Sequence, residues 1–452
     1  MTEEDLTAID LFCGAGGLSQ GLHDAGFDVL WGIDHEEKTK PTYDANHRCE
    51  MAVGDIRKEE PPDLDLAEGE LDLVAGGPPC PTFSLVGRSK INSIEGRDNQ
   101  SDERHLLYED FLRFVDHYQP SAFLMENVEG MLSAENEDGK PVVDTIEEQM
   151  RGERPVADLD LNLNYDVQVQ LLDAADYGVP QHRKRLFFIG NRIGSENPNM
   201  DEWQTHRPPK NEAEKKIKYR KNPSERSGED QPTLEESVEK GDVEEFPIFQ
   251  KNMDTRDPWN TVADAILDLP PVSPNGDTPP TKAEEHEIGP VSEYQYWARN
   301  LREDQDWEEQ DLYNHECRGH NMRDLTLYKL LGEGTSYIIG DIPEEHQPYR
   351  TDIFQDKFKK QNPKEPASTI VAHIYKDGHM FIHPNEARSI TVREVARLQS
   401  FKDTFEFPVS RTHAFKQVGN AVPPLLAQAV GTAIRTEIFD RPLEEQEAEK
   451  AR

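Results

Sequence analysis

Residues 7–34 read TAIDLFCGAGGLSQGLHDAGFDVLWGID. A short apolar strand, Ala8 to Phe12, runs into a turn with three glycines, Gly14, Gly16 and Gly17. A helical stretch follows, then a second strand, Val29 to Ile33, that stops at Asp34. This is a β-α-β opening. Glycine at the first β-α turn permits positive φ and lets a ligand approach the backbone closely. An acid at the end of the second strand, 20 residues past Gly14, commonly accepts both hydroxyls of a ribose. The pair points to an adenosine-containing cofactor, although the spacing is not G-x-G-x-x-G and no P-loop lysine follows. A tight turn without a ligand is the plain alternative.

The same rhythm continues outward. Leu71 to Ala75 and Ala122 to Met125 are short apolar strands that end at polar or glycine turns. Leu106 to His117 has helical periodicity, and Arg185 to Gly190 adds a strand. Strands alternating with helices predict a parallel, doubly wound sheet, and in such sheets ligands lie at the carboxyl ends of the strands. After Asn191 the character changes. Residues 194–247 are charged, proline-rich and poor in apolar positions, and 270–291 hold another proline cluster. Apolar order resumes from Ala367 and ends in a helix from Pro424 to Ile438.

Three turns at strand ends carry candidate chemistry. Gly76-Gly77-Pro78-Pro79-Cys80-Pro81 follows the strand Leu71 to Ala75 and fixes one thiol on a rigid polar loop. Cys80 is either a buried loop thiol or a nucleophile, which needs a lowered pKa or close positioning. Glu126 and Asn127 end the next strand and face the same cleft. Gln181-His182-Arg183-Lys184-Arg185 leads into another strand, where alternation places Arg183 and Arg185 on one face. Two guanidinium groups there suit a carboxylate, a base carbonyl or a phosphate. Gly54-Asp55-Ile56 is a weaker turn signal for an adenine contact. The four cysteines, Cys13, Cys49, Cys80 and Cys317, form no C-x-x-C pair, so no metal site is expected.

Together, DLFCGAGGLSQG (10–21), GPPC (77–80), ENV (126–128), QHRKR (181–185), RSITVREVARLQSF (388–401) and QVGNAVPP (417–424) resemble the DNA cytosine carbon-5 methyltransferases, in that family's order and over more than half of the chain. The resemblance implies a Rossmann-like α/β fold, a doubly wound sheet with a smaller inserted target-recognition domain. It implies S-adenosylmethionine as methyl donor and double-stranded DNA as substrate, with the target base flipped out of the duplex. Cys80 becomes the nucleophile at cytosine carbon 6. Glu126 serves ring nitrogen N3, Arg185 holds the base carbonyl, Arg183 orients Glu126, and Asn127 braces the cysteine turn. Phe12, Gly14, Gly16 and Gly17 bound the methionine part of the cofactor, Asp34 the ribose, Asp55 and Ile56 the adenine. His35, Pro79, Asn420 and Val422 complete that set. Three positions depart from the family's usual residues: Pro81 replaces Gln, Asp34 replaces Glu, and His35 stands where an aromatic stacks on adenine. The catalytic domain is expected over 1–191, completed by 412–440. The target-recognition region and hinge take 192–411, and 441–452 form a charged tail. A tRNA-modifying relative on the same fold is the nearest alternative, and the long recognition region favours DNA.

No apolar run approaches the roughly 20 residues that span a membrane, so a soluble, cytoplasmic monomer is expected. A cognate restriction endonuclease or phage-defence proteins are the candidate partners. The net charge of −39 runs against the basic surface usual for nucleic-acid binders. It suits instead a protein from a salt-rich cytoplasm, as in a halophilic archaeon, where the Debye length falls to about 3 Å at 1 M salt. This reading predicts that dilution from molar KCl into low-salt buffer lowers the melting temperature and the activity. An unchanged melting curve would refute it.

Overall fold

The computed structural model describes residues 6–67, 69–79, 107–136, 139–157, 159–210, 249–253, 256–274, 290–300, 311–331, 358–376 and 378–441. The chain divides into two compact units. The first takes Met1–Asp173, Lys184–Trp203 and Leu426–Arg452. The second takes Ala174–Arg183 and Gln204–Leu425. The chain therefore leaves the first unit for ten residues within the predicted catalytic segment, and the QVGN segment falls in the second unit.

In the first unit, β1 (Leu6–Leu11) is buried along nearly its whole length, as a strand covered on both faces must be. Helix α1 (Gly17–Asp24) starts behind Gly16, in the left-handed region at φ 89°. It ends where Gly26, at φ 83°, turns the chain back into β2 (Phe27–Asp34). Then come α2 (Lys40–Asn46), β3 (Glu50–Val53), β4 (Leu73–Gly76), α3 (Leu107–Tyr118), β5 (Ala122–Val128), α4 (Val142–Met150), β6 (Asp166–Asp173) and β7 (Lys184–Asn191). The strands form one seven-stranded sheet in the order β3-β2-β1-β4-β5-β7-β6.

Five strands are parallel, as the alternating pattern predicts, but β7 is antiparallel to both neighbours. The reason is the length of the connection. A parallel return needs a crossover of a dozen residues or more, whereas Ala174–Arg183 brings the chain back in ten. Ile9 and Leu11 of β1 pack in one core with Phe111 and Phe114 of α3 and Ile146 of α4. Alternation turns Asp10 to the other face, where Ser19 of α1 lies 2.6 Å from its carboxylate. Helix α10 (Pro424–Glu437) brings the far end of the chain into this unit. Gly431 admits the approach: a Cβ there would lie 2.8 Å from that of Ala25, and Arg435 donates to the Gly26 carbonyl at 2.7 Å.

The second unit is mostly short elements: β8 (His206–Arg207), β9 (Asp257–Pro258), α5 (Val262–Ile266), α6 (Glu293–Arg299), α7 (Met322–Leu330), α8 (Val392–Leu398) and α9 (Arg411–Asn420). Its centre is α8, in which every residue is buried, charged ones included. Thr391 and Glu394 cap the helix reciprocally. The Glu394 carboxylate also receives Arg388 at 2.7 and 2.8 Å. Arg397 reaches Asp403 at 2.6 and 2.9 Å and Asp268 at 2.5 Å, and Asp268 is held again by Arg299 at 2.7 Å. Buried charges persist only when paired in this way.

Removing one member leaves the others stranded. Arg397→Met should lower the unfolding free energy by about 3–5 kcal/mol in urea titrations. Burial raises the Glu394 and Asp403 carboxyls, but Arg388 and Arg397 more than offset it and hold both below the ordinary carboxylate range. Their contribution to stability is therefore complete above that range and is lost as pH falls through it. Wild-type urea midpoints should drop below about pH 4, and the Arg397→Met protein should show a weaker drop.

Candidate active site

The carboxyl ends of β1 and β2 meet at the glycine turn. Gly14 sits at φ 56° and Phe12 at φ 61°, an uncommon conformation for an aromatic residue. The Gly14 amide donates to Asp34 Oδ2 at 3.0 Å, and the Glu36 amide donates to Oδ1 at 2.8 Å. The sequence thus brings the two halves of its cofactor signature into contact. Gly16 has a separate reason to be glycine: a Cβ there would fall 2.1 Å from His47 Nε2. Gly17 is buried at the start of α1, and exposed His35 lies 3.4 Å from Asp34. The third turn is arranged differently. Asp55 is engaged by Arg57 at 2.7 and 2.8 Å, and this pair holds its carboxyl down at about 2. The Ile56 side chain is part of the core. Asp55 thus meets Arg57 and Ile56 packs in the core, and the adenine contact expected of both is kept as a proposal on the resemblance.

At the next strand ends, β5 and β7 place their side chains by register. Glu126 pairs with Phe187 and Val128 with Arg185. The Arg185 Nε donates to Glu126 Oε1 at 2.8 Å, with the side chains only 13% and 12% exposed. Burial lowers the Arg185 pKa, and the Glu126 charge works against that. Beside them, Asn127 is buried and donates to the Pro78 carbonyl at 3.1 Å. A Cβ on Gly77 would lie 3.0 Å from Glu126 Oε2. The turn is therefore held against the acid up to exposed Pro79, and Cys80 itself, with Pro81, lies outside the described residues.

Arg183 does not share a strand face with Arg185, because β7 begins at Lys184. Its fully buried guanidinium belongs to the second unit, where it donates to the carbonyls of Ile370 at 2.8 Å and Gly419 at 3.3 Å. Gln181 is a residue the sequence reading passed over. Its amide accepts from the Ile370 amide at 2.7 Å and donates to Gln399 Oε1 at 2.7 Å, and Gln399 donates on to the Val418 carbonyl. Arg183, Gln181 and Gln399 so close a buried polar ring around Ile370 and the end of α9. Its members come from two of the quoted motifs and close on the carbonyls of a third, but nothing in their one-letter codes announces mutual contact. Asn420, exposed, and Val422, buried, follow at the end of α9 in the second unit.

The whole chain from residue 6 to residue 436 matches the family of C-5 cytosine-specific DNA methylases. It belongs to that family. The methylase is 31% identical to the type II methyltransferase M.DdeI of Desulfomicrobium norvegicum, over 95% of this chain and 88% of that one. It is also 31% identical to the type II methyltransferase M.AgeI of Thalassovita gelatinovora, over 96% and 100%. A crystal structure described as a DNA modification methyltransferase encoded within an E. coli prophage shares its fold, with a TM-score of 0.57 at 22% identity over 96% and 99% of the two chains. A source in a halophilic archaeon, which the charge suggested, finds no support in these relatives. The DNA methylase has no helix, among its described residues, long and apolar enough to cross a membrane.

The contact over Gly16 gives a direct test. Gly16→Ala adds a methyl group to a left-handed backbone position already pressed by His47. It should cost roughly 1–3 kcal/mol of stability, read as a lower urea midpoint.

Proposed function

We propose that this DNA cytosine-5 methyltransferase takes its methyl group from S-adenosylmethionine and acts at a specific sequence in double-stranded DNA, through a covalent adduct between Cys80 and a flipped-out cytosine. The observation that carries the reading is the Glu126–Arg185 pair, 2.8 Å apart and nearly buried, beside the turn that leads to Cys80. An acid and a guanidinium held together in a recess suit a ring that presents a nitrogen and a carbonyl oxygen side by side.

The cofactor reading rests on the first turn. Gly14 leaves the backbone open, with Asp34 Oδ2 4.0 Å from where a Cβ would stand, and Asp34 is oriented by two amides at the carboxyl end of β2. Those residues fit an adenosyl group with a ribose, and the bound group supplies an electrophilic methyl. Phe12 and Gly17 belong to the same turn. His35, adjacent to Asp34, and exposed Pro79 are proposed as flanking contacts. Asn420 and Val422 stay proposed on the resemblance alone.

The protein's own residues then have defined tasks. Cytosine carbon 5 is a poor nucleophile. Addition of the Cys80 thiolate to carbon 6 pushes the ring's electrons toward carbon 5, which can then accept a methyl group. Glu126, after taking a proton from solvent, donates it to ring nitrogen N3 as negative charge develops there. Arg185 holds the base carbonyl and keeps Glu126 in place. Transfer of the carbon-5 proton to a solvent base restores the carbon 5–carbon 6 double bond and expels Cys80 as its thiolate. Asn127 keeps the cysteine turn at its station through the Pro78 carbonyl. Arg183 acts as a brace within the second unit. The target-recognition role is proposed for that unit's inserted segment. The type II relatives support a role beside a restriction endonuclease.

Labelled cofactor offered to DNA and to tRNA tests the assignment. Wild type should label DNA as 5-methylcytosine. Cys80→Ser should lose more than about a thousandfold in rate while still binding S-adenosylhomocysteine. Label in tRNA alone would transfer the assignment to an RNA substrate.

A further inference from the structure

Beneath the glycine turn lies a buried polar chain that the mechanism above does not use. Asp10 is fully buried on β1. Its Oδ2 accepts from the Ser19 hydroxyl at 2.6 Å, within the range of a charge-assisted O–H···O⁻ bond. Ser19 lies on the first turn of α1 and shares a hydrogen bond of 2.9 Å with the Tyr43 hydroxyl of α2. Tyr43 in turn meets the Cys49 sulfur at 3.3 Å. An ionised carboxylate only accepts, so the chain has one direction: Cys49 to Tyr43, Tyr43 to Ser19, Ser19 to Asp10.

The far end of this chain supports the turn itself. The Tyr43 ring and the His47 imidazole lie 4.4 Å apart and press on Gly16, where a Cβ would be 3.1 Å from the Tyr43 ring. Gly32 of β2 makes the room: a Cβ there would lie 2.9 Å from the Tyr43 hydroxyl and 3.2 Å from the Cys13 sulfur. One buried acid thereby ties β1, α1 and α2 to the segment Phe12–Gly17. Its second oxygen, Oδ1, is buried and has no hydrogen-bond partner among the described residues. An acceptor left dry in this way strongly favours taking up a proton or meeting a cation.

We propose that Asp10 is a positioning residue for methyl transfer, its carboxyl setting the floor of the glycine turn through Ser19 and Tyr43 and, when ionised, favouring the cationic cofactor. The inference rests on reading that turn and Asp34 as the cofactor site. The sulfonium supplies the sign of the effect, because a negative charge below the turn attracts S-adenosylmethionine, and S-adenosylhomocysteine lacks that positive charge.

Burial pushes the Asp10 carboxyl up to about 7, with the Ser19 hydrogen bond pulling against it and the Asp34 charge at the end of β2 adding to it. The other groups of this floor keep one protonation state near neutral pH. Burial raises Cys13 of the turn, Tyr43 of α2 and Cys49 ahead of β3, and lowers His47 of α2 to about 4. His23 of α1 is raised above the ordinary imidazole value by its bond to Asp24, so it is replaced in the test.

In a His23→Gln background, calorimetric affinity for S-adenosylmethionine should rise on the order of fivefold from pH 6 to pH 8, and less for S-adenosylhomocysteine. Asp10→Asn should flatten that rise. Folding carries the opposite sign, because a carboxyl with a raised pKa is lost to stability as pH rises through its folded value. Urea midpoints should thus fall toward pH 8 in the parent and stay level in Asp10→Asn. A variant that changes the midpoints and leaves the affinity profile intact would reduce Asp10 to a structural acid and overturn the proposal. Should Asp10→Asn fail to fold, Ser19→Ala removes one bond to the carboxylate and should move the midpoint of the affinity profile upward, and an unmoved midpoint counts against the chain. Asp34→Ala is measured alongside. Unchanged affinity in that variant would overturn the cofactor-site reading, whatever Asp10 does.

Discussion

The pairing of β5 with β7 decides where the chemistry can occur. Antiparallel strands exchange partners residue by residue, so once Val128 lies opposite Arg185 the guanidinium has Glu126 within reach. A slip of one residue would turn Arg185 to the other face of the sheet and leave a nearly buried acid without its cation. The β4–β5 ladder, with Gly76 opposite Met125, places Asn127 beneath the Pro78 carbonyl. Two ladders sharing β5 thus order the acid, the arginine and the approach to the cysteine turn. The short return through Ala174–Arg183 enforces the reversed direction on which the β5–β7 ladder depends.

Charge is sorted in this chain in an unusual way. The net balance is −39, yet Arg183, Arg388, Arg393 and Arg397 are among its largest fully buried side chains. Three of them lie on or beside α8, where they meet Glu394, Asp403, Asp268 and the carbonyls of Tyr313, Lys402 and Phe405. Arginine suits this task because its planar fork satisfies several acceptors at once and never loses its proton. RSITVREVARLQSF is therefore, in physical terms, a core segment that happens to be charged. Hydrophobic patterning alone would put such a stretch on the surface.

Much of the fold was legible because central strands announce themselves. Ala8 to Phe12 and Val29 to Ile33 lie within or beside the observed β1 and β2, and the helix expected from Leu106 to His117 is described from Leu107 to Tyr118. The edge strands β3 and β6 escaped notice. EMAV and DVQVQLLD carry polar residues facing solvent, as edges must, so their apolar signal is thin. Among the site residues, the placing of Gly14, Asp34 and Glu126 at strand ends followed from the sequence, but the Gly14–Asp34 contact and the Glu126–Arg185 pair did not, Arg183 having been expected to orient Glu126. The placing of Arg183 did not follow, since alternation holds only inside a strand. The Gln181–Gln399 bond joins residues 218 apart, and no local pattern encodes a partner at that distance. Asp10 reads as one polar letter in an apolar run, and only the packed structure gives it Ser19 and Tyr43.

Helix α10 has a consequence for how the protein is made. It is the last element among the described residues, and it packs Gly431 and Arg435 against the end of α1, with Gly26 and Arg435 409 positions apart in the sequence. Synthesis proceeds at roughly 5–20 residues per second, so this contact waits tens of seconds for its second half. During that interval α1 exposes the small residues that later receive α10. The second unit draws nearly all of its chain from one continuous stretch, Gln204–Leu425. It can consolidate while the first unit is still unfinished. Nascent-chain truncation just before Leu426 would therefore leave the end of α1 without the groups that Gly431 and Arg435 bring to it.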